Sequence, residues 1–203
     1  MPQPLSRVAA NVSIMVGNAG DRPLSRHPDL AILAIEAIAS WSNVELFMLD
    51  MYVQLMGGLN DRAATAYLAL ETQSAKTQVI RAVAQQVLSK KDFDLLVAIL
   101  AIAKTRQKFR DRLAHHTWGE CPQIHDALLL IDPKSLLALP IDMDRVYVYK
   151  RADFEEIISA NDRLCGYGGT FRQIIGDTLK HKDFLYELLY AAPEVREKLG
   201  LQA

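Results

Sequence analysis

Residues 104–119 read KTRQKFRDRLAHHTWG: five basic side chains fall within the nine positions from Lys104 to Arg112, and two adjacent histidines, His115 and His116, follow before Trp118. Imidazole can take up and release a proton near neutral pH, whereas guanidinium stays charged and can hold a phosphodiester through paired hydrogen bonds. Together those two abilities suffice to cleave RNA. The histidine moves the proton of the ribose 2′-hydroxyl, and the arginine stabilises the charge that gathers on the phosphate in the transition state. That division of labour needs no metal and no other cofactor, and the 2′-hydroxyl itself separates RNA from DNA.

A helix must position these groups. The run FDLLVAILAIAKTRQKFRDRLAHHTW, capped by Asp92 and stopped by Gly119, predicts one. At about 100° per residue, Leu95, Ile99, Ile102, Phe109 and Leu113 share a broad apolar face, and Arg106 and Arg110 fall inside the same sector. Lys104, Lys108 and Arg112 form a second basic row with the histidines near it, either a solvated face or a set of RNA phosphate contacts. Burying Arg106 and Arg110 requires compensation. An earlier helix offers it: Glu36, Ser40, Asn43 and Asp50 recur along one polar stripe, which serves either as bundle registration or to orient an arginine from another helix. Trp118 either closes the bundle end or stacks on RNA.

RDRLAH separates Arg110 from His115 by four residues and places the polar Asp111 directly after the arginine. It resembles the R-x(4-6)-H motif of the HEPN superfamily, whose members are typically α-helical dimers and in many cases metal-independent ribonucleases of toxin, defence or RNA-processing systems. The resemblance implies Arg110 and His115 as the catalytic pair and RNA as the ligand; the spacing of His116 and the burial of Arg106 beside the polar stripe of Asn43 and Asp50 offer those four as supporting residues. In an uninterrupted helix Arg110 and His115 point about 140° apart, so they converge only if the long arginine reaches round, the helix loosens near Gly119, or a dimer axis assembles a composite cleft; the resemblance favours a homodimer. A toxin-like role brings with it an inhibitory protein partner. The other role such a bundle fills is that of a catalytically inactive interaction or RNA-binding module. Where some members paired with small nucleotidyltransferases carry a tyrosine two residues past the histidine, this chain has Thr117.

The remainder of the chain predicts what surrounds that helix. Its 203 residues fit one compact domain, half of them are hydrophobic, and a formal net charge of -1 gives no general attraction to phosphate polymers or anionic membranes. Residues 1–28 predict an irregular arm, and 29–203 a single helical domain. Within it, a helix of about seven turns runs from Asp29 to Gly57 and Gly58. Its apolar residues surround more than one face, which places it in the middle of a bundle. A second helical segment covers 60–88 with a break near Thr72–Ser74. Short β-like runs, DALLLID and DRVYVYK, predict a hairpin inserted at 126–150, and helical patterning resumes at Asp153, with a terminal helix over 182–198. The fold expected is therefore an all-α helical bundle with a small β-hairpin insertion, HEPN-like by resemblance. GYGG (166–169) reads as a turn or a tight helix crossing. His116, Cys121 and His125 lack a clear fourth ligand for structural zinc, and Cys121 and Cys165 are too few for a disulfide scaffold. No secretory core and no run of roughly 18 apolar residues is present, so a cytoplasmic protein with no membrane partner is expected.

Overall fold

Five consecutive apolar residues, ALLLI, form strand β4 (Ala127–Ile131), every one of them buried. Side chains alternate between the faces of a strand, so such a run must be covered on both sides. In a computed structural model, which describes residues 1–17, 22–58, 61–137, 140–176 and 182–201, the two covers differ in kind. β4 pairs antiparallel with β5 (Val146–Lys150) on one side and with β3 (Thr117–Glu120) on the other; β1 (Gln3–Pro4) adds to β5 and β2 (Met15–Val16) to β3, giving the order β1-β5-β4-β3-β2. Leu128, Leu130 and Tyr149 pack into a cluster with the helical residues Leu30, Ala34, Ala37, Phe109, Leu113, Phe154 and Ile157. Ala127, Leu129 and Ile131 point the other way, into a cluster with Leu5, Cys121, Val146 and Val148, against which Val12, Ile14 and Val16 pack.

The arm expected to be irregular is therefore structured. It supplies both edge strands and a single turn, α1 (Leu5–Val8), and its apolar residues are the second cover that β4 requires. The expected hairpin is likewise the centre of a five-stranded sheet. The long helix stops at His115, and Thr117 and Trp118, expected to continue it, begin β3.

The chain divides into two compact units, residues 1–41 with 106–160 and residues 42–105 with 161–203. The sheet, a further single turn α2 (Pro23–Arg26) and the helical residues that cover the sheet belong to the first. The second is helical. Helix α3 (Pro28–Leu55) contributes to both, and its buried positions Leu30, Ala34, Ala37, Trp41, Val44, Met48, Met51 and Leu55 alternate in steps of four and three. The chain leaves α3 through Gly57 and Gly58, both at positive φ, whose amides donate to the carbonyls of Gln54 and Val53; glycine reaches that conformation without a Cβ clash. By length and composition α3 is long and apolar enough to cross a membrane, a test that the core helix of a water-soluble protein also passes.

In the second unit the expected break is real. α4 (Asp61–Leu68) and α5 (Gln73–Val87) are separate helices, the latter capped by the Thr72 hydroxyl, which accepts from the Ala75 amide at 3.1 Å; Asn60, offered as a start, lies outside the described residues. α6 (Lys90–His115) opens on a reciprocal cap: Ser89 Oγ accepts from the Asp92 amide at 3.2 Å and donates to the Asp92 carboxylate at 2.7 Å. Ser89 is thus the cap, and Asp92 its answering residue three positions on. α7 (Arg151–Ile175) runs unbroken through GYGG. Gly168 is a tight crossing there, because a Cβ on it would lie 2.2 Å from the Phe47 ring. Pro193 divides the expected terminal helix into α8 (Asp183–Ala191) and α9 (Pro193–Leu199).

Two substitutions separate the two covers of the sheet. Phe154 is fully buried on the helical side, so Phe154→Ala should cost about 3–5 kcal/mol. A Cβ at Gly119 would sit 2.7 Å from the Met15 carbonyl and 2.9 Å from the Ile131 side chain, so Gly119→Ala should cost about 1–3 kcal/mol by forcing β2 away from β3. Urea unfolding reads both. Amide exchange should show faster exchange at the Val16–Gly119 pairing in the second variant, and unchanged exchange there would count against this account of β2.

Candidate active site at the end of α6

The basic stretch occupies the last three turns or so of α6 and the first residues after it. Phe109 and Leu113 are buried against the sheet, and this fixes the rotation of the helix and so decides where its neighbours point. Lys104 and Lys108 are exposed, Arg106, Arg110 and Arg112 are half-buried, His115 is exposed and His116 is half-buried. The guanidinium of Arg110 donates to the carboxylate of its neighbour Asp111 at 3.1 Å.

Arg112 and His116 are one helical turn apart and meet the same aromatic ring. The Arg112 guanidinium carbon lies 3.9 Å from the centre of the Tyr147 ring, within cation–π range, and the His116 ring lies 6.3 Å from it. Arg112 also opposes the rise in the Tyr149 hydroxyl pKa, which burial pushes up to about 12. The backbone amide of His116 still donates to the Arg112 carbonyl at 2.9 Å, so the turn stays closed although the helix ends at His115. Burial lowers the pKa of His116 below its ordinary value; Arg112 and His115 push the same way, and Asp132 opposes them. Its Nδ1 is shielded from solvent and makes no hydrogen bond. A half-buried imidazole whose pKa is lowered thus shares the Tyr147 ring with a guanidinium, and the imidazole next to it in the chain is in solvent.

Of the residues offered from sequence in support of Arg110 and His115, His116 is the one described above and Arg106 is half-buried on α6. Asn43 and Glu36 are exposed. Asp50 does answer an arginine from another helix, but that arginine is Arg172 of α7, at 3.0 Å, and not Arg106 or Arg110. Trp118 pairs with Leu130 across β3 and β4 and packs into the helical-side core, so it closes the sheet. Cys121 and Cys165 are free thiols. The Cys121 thiol sits 3.2 Å from the Gln123 side-chain oxygen, and among the described residues no group of three or more His, Cys, Asp or Glu is arranged to hold a metal ion.

The first unit also contains a cleft of about 640 Å³ that no sequence motif announces, lined among others by Arg26, His27, His125, Asp126, Lys150 and Arg151. Its cations are engaged with carboxylates: Arg26 with Glu120 at 2.9 Å, Lys150 with Asp126 at 3.1 Å, Arg151 with Asp29 at 3.9 Å. Pairs this exposed contribute little each. The cleft gathers the chain before α3, the start of β4 and the β5–α7 junction, segments far apart in sequence, so it is invisible until the sheet is assembled. No family model, curated protein or solved structure matches this chain.

The depressed pKa of His116 sets a pH dependence whose sign follows from linkage. Between the folded and the ordinary value of 6.5, the unfolded chain binds the extra proton, so stability is fully present above that ordinary value and falls as pH is lowered through it. Urea midpoints should therefore drop between about pH 7 and about pH 5, and His116→Gln should flatten part of that drop. Equal slopes in the two proteins would show that His116 carries no such shift.

Proposed function

We propose that the chain is a metal-independent RNA endonuclease whose reacting groups gather at the C-terminal end of α6. The observation that carries this reading is the pairing of two adjacent imidazoles of unlike character, His116 shielded with a lowered pKa and His115 in solvent, next to Arg112 and Arg110. A neutral imidazole takes the 2′-hydroxyl proton as the 2′-oxygen attacks phosphorus. The 5′-oxygen departs with a proton from an acid, leaving a 2′,3′-cyclic phosphate on one product and a 5′-hydroxyl on the other. Arginine stabilises the charge on the non-bridging oxygens meanwhile. The exposed Lys104 and Lys108 extend a positive face along α6 for the neighbouring phosphates. The HEPN resemblance assigns the arginine and histidine roles to Arg110 and His115; the surroundings of Arg112 and His116 suit those roles equally well, and the variants below tell the pairs apart. A homodimer, a cytoplasmic toxin-like or defence setting and an inhibitory protein partner belong to the same proposal.

A second reading has its own observation. Arg110 is satisfied by Asp111 and Arg112 lies over Tyr147, arrangements that also serve a catalytically inactive HEPN-like module that binds RNA or protein.

Folded protein with a chelator present should cut structured and single-stranded RNAs and leave the matching DNA intact, giving cyclic-phosphate ends. His115→Ala or His116→Ala should lower the rate by about 10²–10⁴-fold, whichever serves as general acid or base, without changing the far-ultraviolet circular dichroism. Lys108→Ala should weaken binding and reduce its salt dependence. Cutting that survives undiminished in both histidine variants would sink the catalytic role. RNA binding without cutting would establish the inactive module instead.

A further inference from the structure

The ends of three strands line up where α6 stops. Ile131 of β4 pairs with Thr117 of β3 and with Val146 of β5, so one step further along the same register His116 and Arg145 stand on either side of Asp132. The Asp132 amide still donates to the Arg145 carbonyl at 3.2 Å, which carries the β4–β5 ladder to that row. Side chains alternate between the faces of a sheet. Trp118, Leu130 and Tyr147 pack into the helical-side cluster, and His116, Asp132 and Arg145 each stand two residues from one of them. The row therefore shares the face on which Arg112 lies over Tyr147, and every residue of it belongs to the first unit.

This row of imidazole, carboxylate and guanidinium answers a difficulty in the proton transfer. Burial favours the neutral form of His116, and Arg112 and His115 on α6 push the same way. An imidazole that takes a proton there becomes a half-buried cation beside another cation, and such a charge needs a carboxylate. Asp132 is held where it can serve. One of its oxygens accepts from the Lys134 amide at 3.0 Å, and the other lies 3.9 Å from the Arg145 guanidinium. Arg145 stands closer to Asp142, at 3.4 Å, so it steadies the Asp132 carboxylate without neutralising it at contact. The Asp132 charge acts on His116 against the effect of burial.

We propose that Asp132 is a positioning residue for the proton transfer: its carboxylate stabilises the imidazolium that forms when His116 takes the proton of the ribose 2′-hydroxyl. This assignment rests on the ribonuclease reading and names the base within it. The departing 5′-oxygen takes its own proton from an acid, and His116 sheds its proton to water once the products leave. A carboxylate can steady a protonated imidazole in this way without itself taking the proton. The spacing of arginine and histidine along α6 cannot announce such a group, because Asp132 reaches His116 through the pairing of β3 with β4.

Two readouts on the whole chain test it. In nuclear magnetic resonance titrations the His116 ring protons should give a lower midpoint in Asp132→Asn than in wild type. In Arg145→Gln the midpoint should be higher, since the first variant loses a carboxylate and the second a cation. With RNA as substrate, Asp132→Asn should lower kcat by about tenfold or more, less than His116→Ala does, and leave KM unchanged. The acidic limb of its pH profile should move to lower pH, and Asp132→Glu should restore part of the rate. Far-ultraviolet circular dichroism checks that each variant folds; if Asp132→Asn does not, Arg145→Gln carries the same test with the opposite sign. A His116 midpoint that ignores both substitutions overturns the proposal whether or not RNA is cut. Cutting whose acidic limb stays in place in Asp132→Asn overturns it and leaves the ribonuclease reading intact. A shifted midpoint in a protein that cuts no RNA overturns that reading, and the catalytic part of Asp132 with it.

Discussion

Everything at the candidate site depends on the double burial of β4. A strand with apolar side chains on both faces cannot rest on a helical bundle alone. Helical residues from α3, α6 and α7 supply one cover, and the N-terminal arm supplies the other. Burying Phe109 and Leu113 against Leu128, Leu130 and Tyr149 holds the C-terminal end of α6 in one rotation. That rotation sets Arg112 over Tyr147 and leaves His115 in solvent. A roll of one residue, about 100°, would carry both histidines into different surroundings. The surroundings of Arg112 and of both histidines are thus decided by the packing of core residues.

The helices were legible because their apolar spacing is local. Thr72 and the two glycines after α3 act within one turn of themselves, so the break before α5 and the end of α3 follow from a few residues each. The sheet was only half legible. β4 and β5 announce themselves as apolar runs, but β1 and β2 are two residues each, and nothing in QP or MV speaks for a strand until a partner edge exists. The same locality governs the site. The Arg112–His116 turn is visible as a spacing, whereas the Tyr147 ring that both residues meet arrives from a strand some thirty positions later. Asp50 shows the limit from the other side: its stripe was legible and its partner, Arg172, was not, because polar spacing on one helix cannot say which neighbour will face it.

α3 was expected in the middle of a bundle for a sound reason, since apolar residues occupy more than one of its faces. In the structure one seam is buried, whereas Ile32, Ile35 and Leu46 of the other are exposed. The exposed positions follow the buried ones by alternately two and one residue, so the two seams lie about 150° apart, and no single layer of neighbours can cover both. The same pair of seams explains why α3 has the composition of a membrane-crossing helix: two narrow stripes averaged along the sequence look like uniform hydrophobicity, although Glu36, Glu45 and Asp50 lie between them.

The two adjacent histidines illustrate why position relative to a helix end matters more than residue type. His115 is the last residue of α6 and His116 the first beyond it. Moving one residue across that boundary turns a side chain from solvent toward the sheet, and burial then favours the neutral imidazole. An acid and a base for a single phosphodiester need opposite preferences at the same pH. The helix end distinguishes the two side chains without any further residue, because the backbone leaves one imidazole in solvent and the next half-buried. That asymmetry is what a motif search based on the spacing of arginine and histidine passes over, because it depends on where the helix ends and not on how many residues separate the two.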